Sequence, residues 1–266
     1  MKFLYTLGLI YLALVLALYL FQRKLQYHPS KEQVSPSYYG LNHVEAVSFD
    51  TEDGESINAW YAQAQDGRPT FLYFHGNAEA IQDRWERVRL FTEHGYGILI
   101  VSWRGYGGST GTPTEEGLHL DAKGALRFLE VKGLQPKDLI YFGESLGSGV
   151  AVPLAAKFPP AAMVLDSPFT SAADVGQKTY WFVPTRFLMK DKFDSMAHVG
   201  KVTSPVFIFH GDADRVVPFS FGKRLYDAIT APKELLRLPG VHHVAPLTPH
   251  SWQKMKDFLE KYTGSP

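Results

Sequence analysis

Cysteine is missing from all 266 residues, which excludes disulfides, thiolate chemistry and cysteine-ligated zinc or iron–sulfur centres. A charge imbalance is missing too, since 27 Lys and Arg stand against 27 Asp and Glu. A chain without net charge is not built to hold nucleic acid by neutralising phosphates, so no nucleic-acid partner is expected. The glycines of Arg104-Gly105-Tyr106-Gly107-Gly108-Ser109 lack the Gly-Lys-Ser/Thr of a P-loop, and no nucleotide is implied. His242 and His243 are adjacent, without a ligand pattern around them, so neither a metal nor another cofactor is expected. Internal repeats and low-complexity tracts are absent as well. With 45% apolar residues the chain is too hydrophobic to be disordered.

What is present begins with an uncharged apolar run, Phe3 to Phe21, in which Thr6 is the most polar side chain. As a helix, 19 residues reach roughly 28 Å, close to the hydrocarbon thickness of a bilayer. Arg23 and Lys24 end the run abruptly. A signal peptide has a shorter apolar region and a small-x-small cleavage site, and FQRKLQYHP offers none. A buried core helix is the third option, and uniform hydrophobicity at the extreme terminus fits it poorly. Residues 1–24 are therefore expected to be a single-pass anchor, 25–43 a proline-containing tether, and 44–266 the folded body. Arg23, Lys24 and Lys31 outnumber Lys2, so the positive-inside rule leans towards a cytoplasmic body.

From His43 onward, strand and helix signals alternate. HVEAVSF and SINAWYA flank Asp53-Gly54, a hairpin signal. Short apolar runs without alternation follow: FLYFH, ILIVSW, LIYFG, MVLD, VFIFHG and ELLRL. Such runs suit parallel strands covered on both faces. Thr112-Pro113-Thr114-Glu115 predicts a helix start, with Thr112 as cap and Pro113 at the first helical position. The expected fold is a doubly wound, mostly parallel α/β sheet opened by an antiparallel hairpin.

The sharpest motif is Gly143-Glu144-Ser145-Leu146-Gly147, between LIYFG and an Ala/Val-rich helical stretch. In a G-x-S-x-G turn the chain passes so tightly from strand to helix that the serine hydroxyl projects at the helix N-terminus. Free N–H groups and the positive helix end there favour a developing oxyanion. Ser145 thus reads as a nucleophile, and Glu144 as a packing or hydrogen-bonding residue.

A serine nucleophile needs a base oriented by an acid. Asp212 and Asp214 follow VFIFHG, His242 and His243 follow ELLRL, and Asp166 ends MVLD. All lie at or just beyond the carboxyl ends of strands, where this architecture builds its sites. Asp166 and Asp212 also read as turn-capping residues. The oxyanion hole is expected from the N–H of Leu146 and an N–H in His75-Gly76-Asn77-Ala78, with Asn77 ahead of Ala78. His75 reads as a hydrogen bonder that stabilises this loop.

LYFHGNAE, SWRGYGGSTGTPTEEGL, GESLGSGVA, DSPFTS, DKFDS and FHGDADRVVP, in that order, resemble the α/β-hydrolase superfamily. The likeness is closest to its small membrane-anchored members, among them acyl-protein thioesterases and lysophospholipases. It covers nearly the whole chain, the anchor followed by FQRKLQYHP included. The resemblance implies Ser145, Asp214 and His243 as a triad and Asn77 and Leu146 as oxyanion donors. It makes the Arg104–Ser109 loop a border of the site and places a lid insertion at about 169–204, where the apolar YWFVPTRFLM reads equally as an ordinary buried lid helix or as a segment that lines an acyl pocket or touches lipid. One departure is the histidine loop, usually G-x-G-H followed by Asn, which here reads Gly240-Val241-His242-His243-Val244.

The expectation is a membrane-anchored serine hydrolase of carboxylic esters or thioesters, its partners a small or lipid-like acyl ester and the membrane. A peptidase or amidase with the same triad and a non-catalytic membrane-tethered binding domain are the rivals. Oligomeric state is not legible in the sequence.

Overall fold

The computed structural model describes residues 1–244 and 246–264, with the side chain of Glu79 set aside; the last two residues of the expected body lie outside the described residues. Helix α1 spans Lys2–Gln26, and the short strand β1 (His28–Pro29) follows it. Strands β2 (Glu45–Asp50) and β3 (Ser56–Ala62) form the hairpin, and β4 (Thr70–Phe74) leads to the two-residue β5 (Ala78–Glu79). Helix α2 (Trp85–Glu93), β6 (Gly97–Val101), α3 (Glu115–Val131), β7 (Leu139–Glu144), α4 (Ser148–Lys157) and β8 (Ala162–Asp166) then alternate. Three short helices, α5 (Ala172–Thr179), α6 (Thr185–Leu188) and α7 (Met196–Val199), precede β9 (Val206–Gly211). The chain closes with α8 (Phe219–Ala228), β10 (Lys233–Leu238) and α9 (Pro249–Thr263).

The main sheet has the order β10-β9-β8-β7-β4-β6-β3-β2. Only β2–β3 and β3–β6 pair antiparallel among its described ladders. The expected α/β-hydrolase architecture is therefore the one observed. Strands β4, β6, β7, β8 and β9 are buried along their whole length because both faces of the sheet are covered there. In β4, Leu72 and Phe74 join the cluster containing Leu118 of α3 and Val150 of α4. Phe71 and Tyr73 join the opposite cluster, with Val88 of α2 and Met255 of α9. This sandwich fixes the register of the strands whose carboxyl ends carry the site.

Two local expectations differ. Helix α3 starts at Glu115, and its cap is Thr114, whose side chain accepts from the Gly117 N–H, so Pro113 lies outside the helix. Thr114 has extended backbone angles and Glu115 and Glu116 fill the first turn, which the positive helix end favours. The stretch expected as a tether folds onto the body. Tyr27 and Leu41 are buried in the core, and β1 pairs with β5, with the His28 N–H donating to the Asn77 carbonyl at 3.0 Å.

Candidate active site

Ser145 sits where β7 ends and a helical turn runs into α4, at φ 48°. A non-glycine residue in this left-handed region is strained, and strain of this kind gathers at functional sites. The flanking glycines are steric requirements. A Cβ on Gly143 would lie 2.7 Å from Ser148 Cα, and one on Gly147 would collide with the Phe74 carbonyl of β4. Any side chain at either position would push α4 off the sheet and open the turn.

Glu144 points away from the hydroxyl, fully buried. It accepts from Tyr73 Oη at 2.6 Å and from Arg84 Nη2 at 2.6 Å, with Arg87 Nη1 at 3.4 Å. Burial opposes its charge, but the Arg84 and Arg87 guanidinium groups outweigh burial and hold the carboxyl down at about 2. Its expected hydrogen-bonding role is the observed one.

Of the three candidate acids, Asp214 meets a histidine. Its Oδ2 lies 2.7 Å from His243 Nδ1, while its Oδ1 accepts from the Val216 and Val217 N–H groups at 2.8 Å each. His210, buried on β9, brings Nε2 to 3.3 Å from Asp214 Oδ2. Burial raises the Asp214 pKa, and the hydrogen bonds from His210 and His243 more than offset this, leaving it well below the usual carboxylate range. Asp212 instead accepts from the Gly240 N–H at 2.7 Å and from Arg237 Nε at 3.0 Å, bracing the histidine loop. Asp166 is fully buried against Arg87 Nη2 at 2.7 Å and Ser167 Oγ at 2.9 Å. Burial raises its pKa. Neither reaches the imidazole.

His243 Nε2 lies 2.8 Å from Ser145 Oγ. An ionised carboxylate only accepts, so Nδ1 carries the proton towards Asp214 and Nε2 is left to accept from the serine hydroxyl. That arrangement can take up the hydroxyl proton. His242 is exposed, with Nδ1 3.1 Å from the Ala213 carbonyl. The double histidine thus divides into one inward and one outward ring.

Leu146 is the second residue of the turn after β7, where N–H groups have no partner within the helix. Across the cleft, the Asn77 carbonyl accepts from Tyr106 Oη at 2.8 Å, and its side-chain amide donates to the Gln26 carbonyl at 2.7 Å. These bonds fix the loop and leave the Asn77 backbone N–H without a hydrogen-bond acceptor among the described residues. His75 departs from expectation. Its carbonyl accepts from Trp103 Nε1, but its fully buried ring packs against Trp103 and Tyr106 with no hydrogen-bond partner among the described residues. Burial lowers its pKa to about 3, so it stays neutral and serves as an apolar filler.

Four contributors escaped the sequence reading. Ser167, at φ 50°, accepts from the Val244 N–H at 3.3 Å and so holds the histidine loop. Tyr106 holds the Asn77 loop, and His210 backs Asp214. The fourth is α1, which lines a cavity of about 290 Å³ together with Ser145, Leu146 and the α5–α6 segment. A second, polar cleft of about 570 Å³ reaches Ser145 from the other side, past Arg84, Glu144 and His243. Only the apolar YWFVPTRFLM segment had hinted at such a pocket.

Sheet, strand–turn–helix serine and strand-end partners define the class of α/β hydrolases. A family model described as alpha/beta hydrolase fold matches residues 69–193. An uncharacterized protein of Mycobacterium tuberculosis is 40% identical over 231 residues, which make up 85% of this chain and 81% of that protein. Human alpha/beta hydrolase domain-containing protein 17B is 31% identical over 82% of this chain and 76% of its own length. The lysophosphatidylserine lipase ABHD12 of Danio rerio is 31% identical over 75% of this chain and 62% of its own length. An esterase of Pyrococcus furiosus superposes with a TM-score of 0.70 over 90% of this chain and 97% of its own, at 20% identity, a likeness of fold. This chain belongs to the α/β-hydrolase family and is a hydrolase.

Proposed function

We propose that the chain is a membrane-anchored serine hydrolase that cleaves carboxylic ester or thioester bonds of acyl-bearing substrates, with Ser145, His243 and Asp214 as its triad. The observation that carries this reading is His243 itself, 2.8 Å from the Ser145 hydroxyl through Nε2 and 2.7 Å from Asp214 through Nδ1. His243 takes the proton as Ser145 Oγ attacks the acyl carbonyl. The Leu146 and Asn77 N–H groups receive the oxyanion. His243 then gives its proton to the departing alkoxide or thiolate, leaving an acyl-enzyme. Water, deprotonated by the same imidazole, releases the acid and restores Ser145. Asp214 holds the imidazole tautomer and stabilises the imidazolium.

The two cavities support an acyl substrate with a polar leaving group. The apolar one, at about 290 Å³, lies at the small end of the roughly 300–1,000 Å³ typical of ligand pockets and suits one chain. The relative named as a lysophosphatidylserine lipase fits the same class of chemistry. Helix α1 supports the anchor: its 25 residues are long and apolar enough to cross a bilayer, and none of them is buried. The surplus of Arg23, Lys24 and Lys31 over Lys2 favours a cytoplasmic body. The test is labelling of the full chain by a fluorophosphonate, with the adduct mapped by mass spectrometry. An adduct on Ser145 that Ser145→Ala abolishes is expected, and no adduct on Ser145 would overturn the triad.

A further inference from the structure

Helix α1 is more than an anchor in its contacts. Val15, Leu18, Gln22 and Gln26 are its half-buried residues, spaced three and four apart on one face. That face lies along the lid insertion. Tyr11 Oη donates to the Phe182 carbonyl at 2.8 Å. Gln22 Oε1 accepts from the Lys190 N–H at 2.6 Å, and Arg23 Nε pairs with the buried Asp191 at 2.8 Å. Gln26 donates to the Asp191 carbonyl at 3.0 Å and accepts from Asn77 Nδ2 at 2.7 Å, so the helix end is tied directly to the loop that carries Asn77. The apolar cavity lies in this seam. Val15, Leu18 and Leu25 of α1 form one wall, Val175 and Leu188 of the lid the other, and Ser145 the end.

The contacts also set depth. Tyr11 stands twelve residues before Arg23, about 18 Å along the helix axis, which is more than half of the roughly 30 Å hydrocarbon core. With Arg23 at the membrane surface, the lid at Phe182 is in hydrocarbon. Trp181 and Phe187, 78% and 86% exposed on that lid, are the side chains such a setting would cover.

We infer that the anchor helix is one wall of the acyl-binding site, so that the substrate is a bilayer-resident acyl ester whose chain enters sideways between α1 and the lid. This rests on Ser145 being the nucleophile. The chain lies in the apolar seam with its carbonyl at Ser145, and the leaving group occupies the polar cleft. Each buried methylene shifts binding about fourfold. A wall substitution that displaces two of them therefore costs long chains more than tenfold and short chains far less.

The test compares kcat/KM for p-nitrophenyl laurate and butyrate on the full chain in phosphatidylcholine vesicles, each corrected for the rate left in Ser145→Ala. That correction isolates the nucleophile reading, which the butyrate rate alone decides, from the inference, which the laurate-to-butyrate ratio decides. Leu18→Trp and Val15→Trp should each lower the ratio about tenfold or more, and Leu16→Trp, on another face of α1, should leave it at the wild-type value. Unchanged ratios in both wall variants, or an equal fall in Leu16→Trp, would overturn the inference. Depth is read separately through quenching of tryptophan fluorescence by lipids brominated at mid-chain. The quenched component should disappear in Trp181→Phe, and its persistence would overturn lid immersion.

Discussion

His243 faces Asp214 with its Nδ1 2.7 Å from one carboxylate oxygen, while the other oxygen of Asp214 is held by the Val216 and Val217 N–H groups. The carboxylate therefore cannot rotate away from the imidazole without breaking two backbone hydrogen bonds. Losing the acceptor while keeping the shape should cost turnover rather than folding. Asp214→Asn is expected to lose about 10⁴ in kcat through the wrong tautomer, with its melting temperature near that of the wild type. Asp166→Asn should keep most of its turnover and lose stability, because it weakens the buried pair with Arg87. A dead Asp166→Asn beside an active Asp214→Asn would place the acid one strand earlier.

The adjacent histidines separate by orientation. His243→Ala removes the group that touches Ser145 and should abolish ester hydrolysis. His242→Ala removes one exposed contact with the Ala213 carbonyl and should leave most of kcat, because that ring meets neither Ser145 nor Asp214. Steady-state kinetics of the two variants decide this, and the reverse ranking would move the base by one residue.

Glu144 makes stability depend on pH at the residue next to Ser145. Its carboxyl is held at about 2 against an ordinary value of 4.5. A depressed pKa means the folded state holds the proton less tightly than the unfolded chain. The stabilisation is thus complete above about pH 4.5 and is lost as the pH falls towards about 2. Glu144→Gln should cost on the order of 3 kcal/mol at neutral pH by stripping Arg84 and Arg87 of a buried partner. Its stability should also fall less steeply with acid than the wild type's. Urea unfolding at a series of pH values measures both, and an acid limb of unchanged steepness in the variant would contradict the account.

These residues differ in how visible they were. The strands were legible because a sheet covered on both faces demands unbroken apolar runs, and the glycines around Ser145 because no side chain fits there. The histidine loop was legible only through family likeness, since both rings follow the same strand and nothing local says which turns inward. Tyr106, Ser167 and the inner face of α1 were not legible. Tyr106 meets Asn77 across 29 positions and Tyr11 meets Phe182 across 171. An apolar helix reads the same whether lipid or a substrate chain lies against it. The stretch after Gln26 read as a tether because β1 is two residues long and carries no period of its own.

The central claim is that Ser145 is the nucleophile, and turnover of an activated ester by Ser145→Ala tests it most directly. The variant should keep the wild-type melting temperature, since Ala occupies the same turn, and should lose kcat by several orders of magnitude, up to about 10⁶. A folded Ser145→Ala retaining more than about a tenth of wild-type turnover would contradict the account, because a true nucleophile cannot be removed so cheaply.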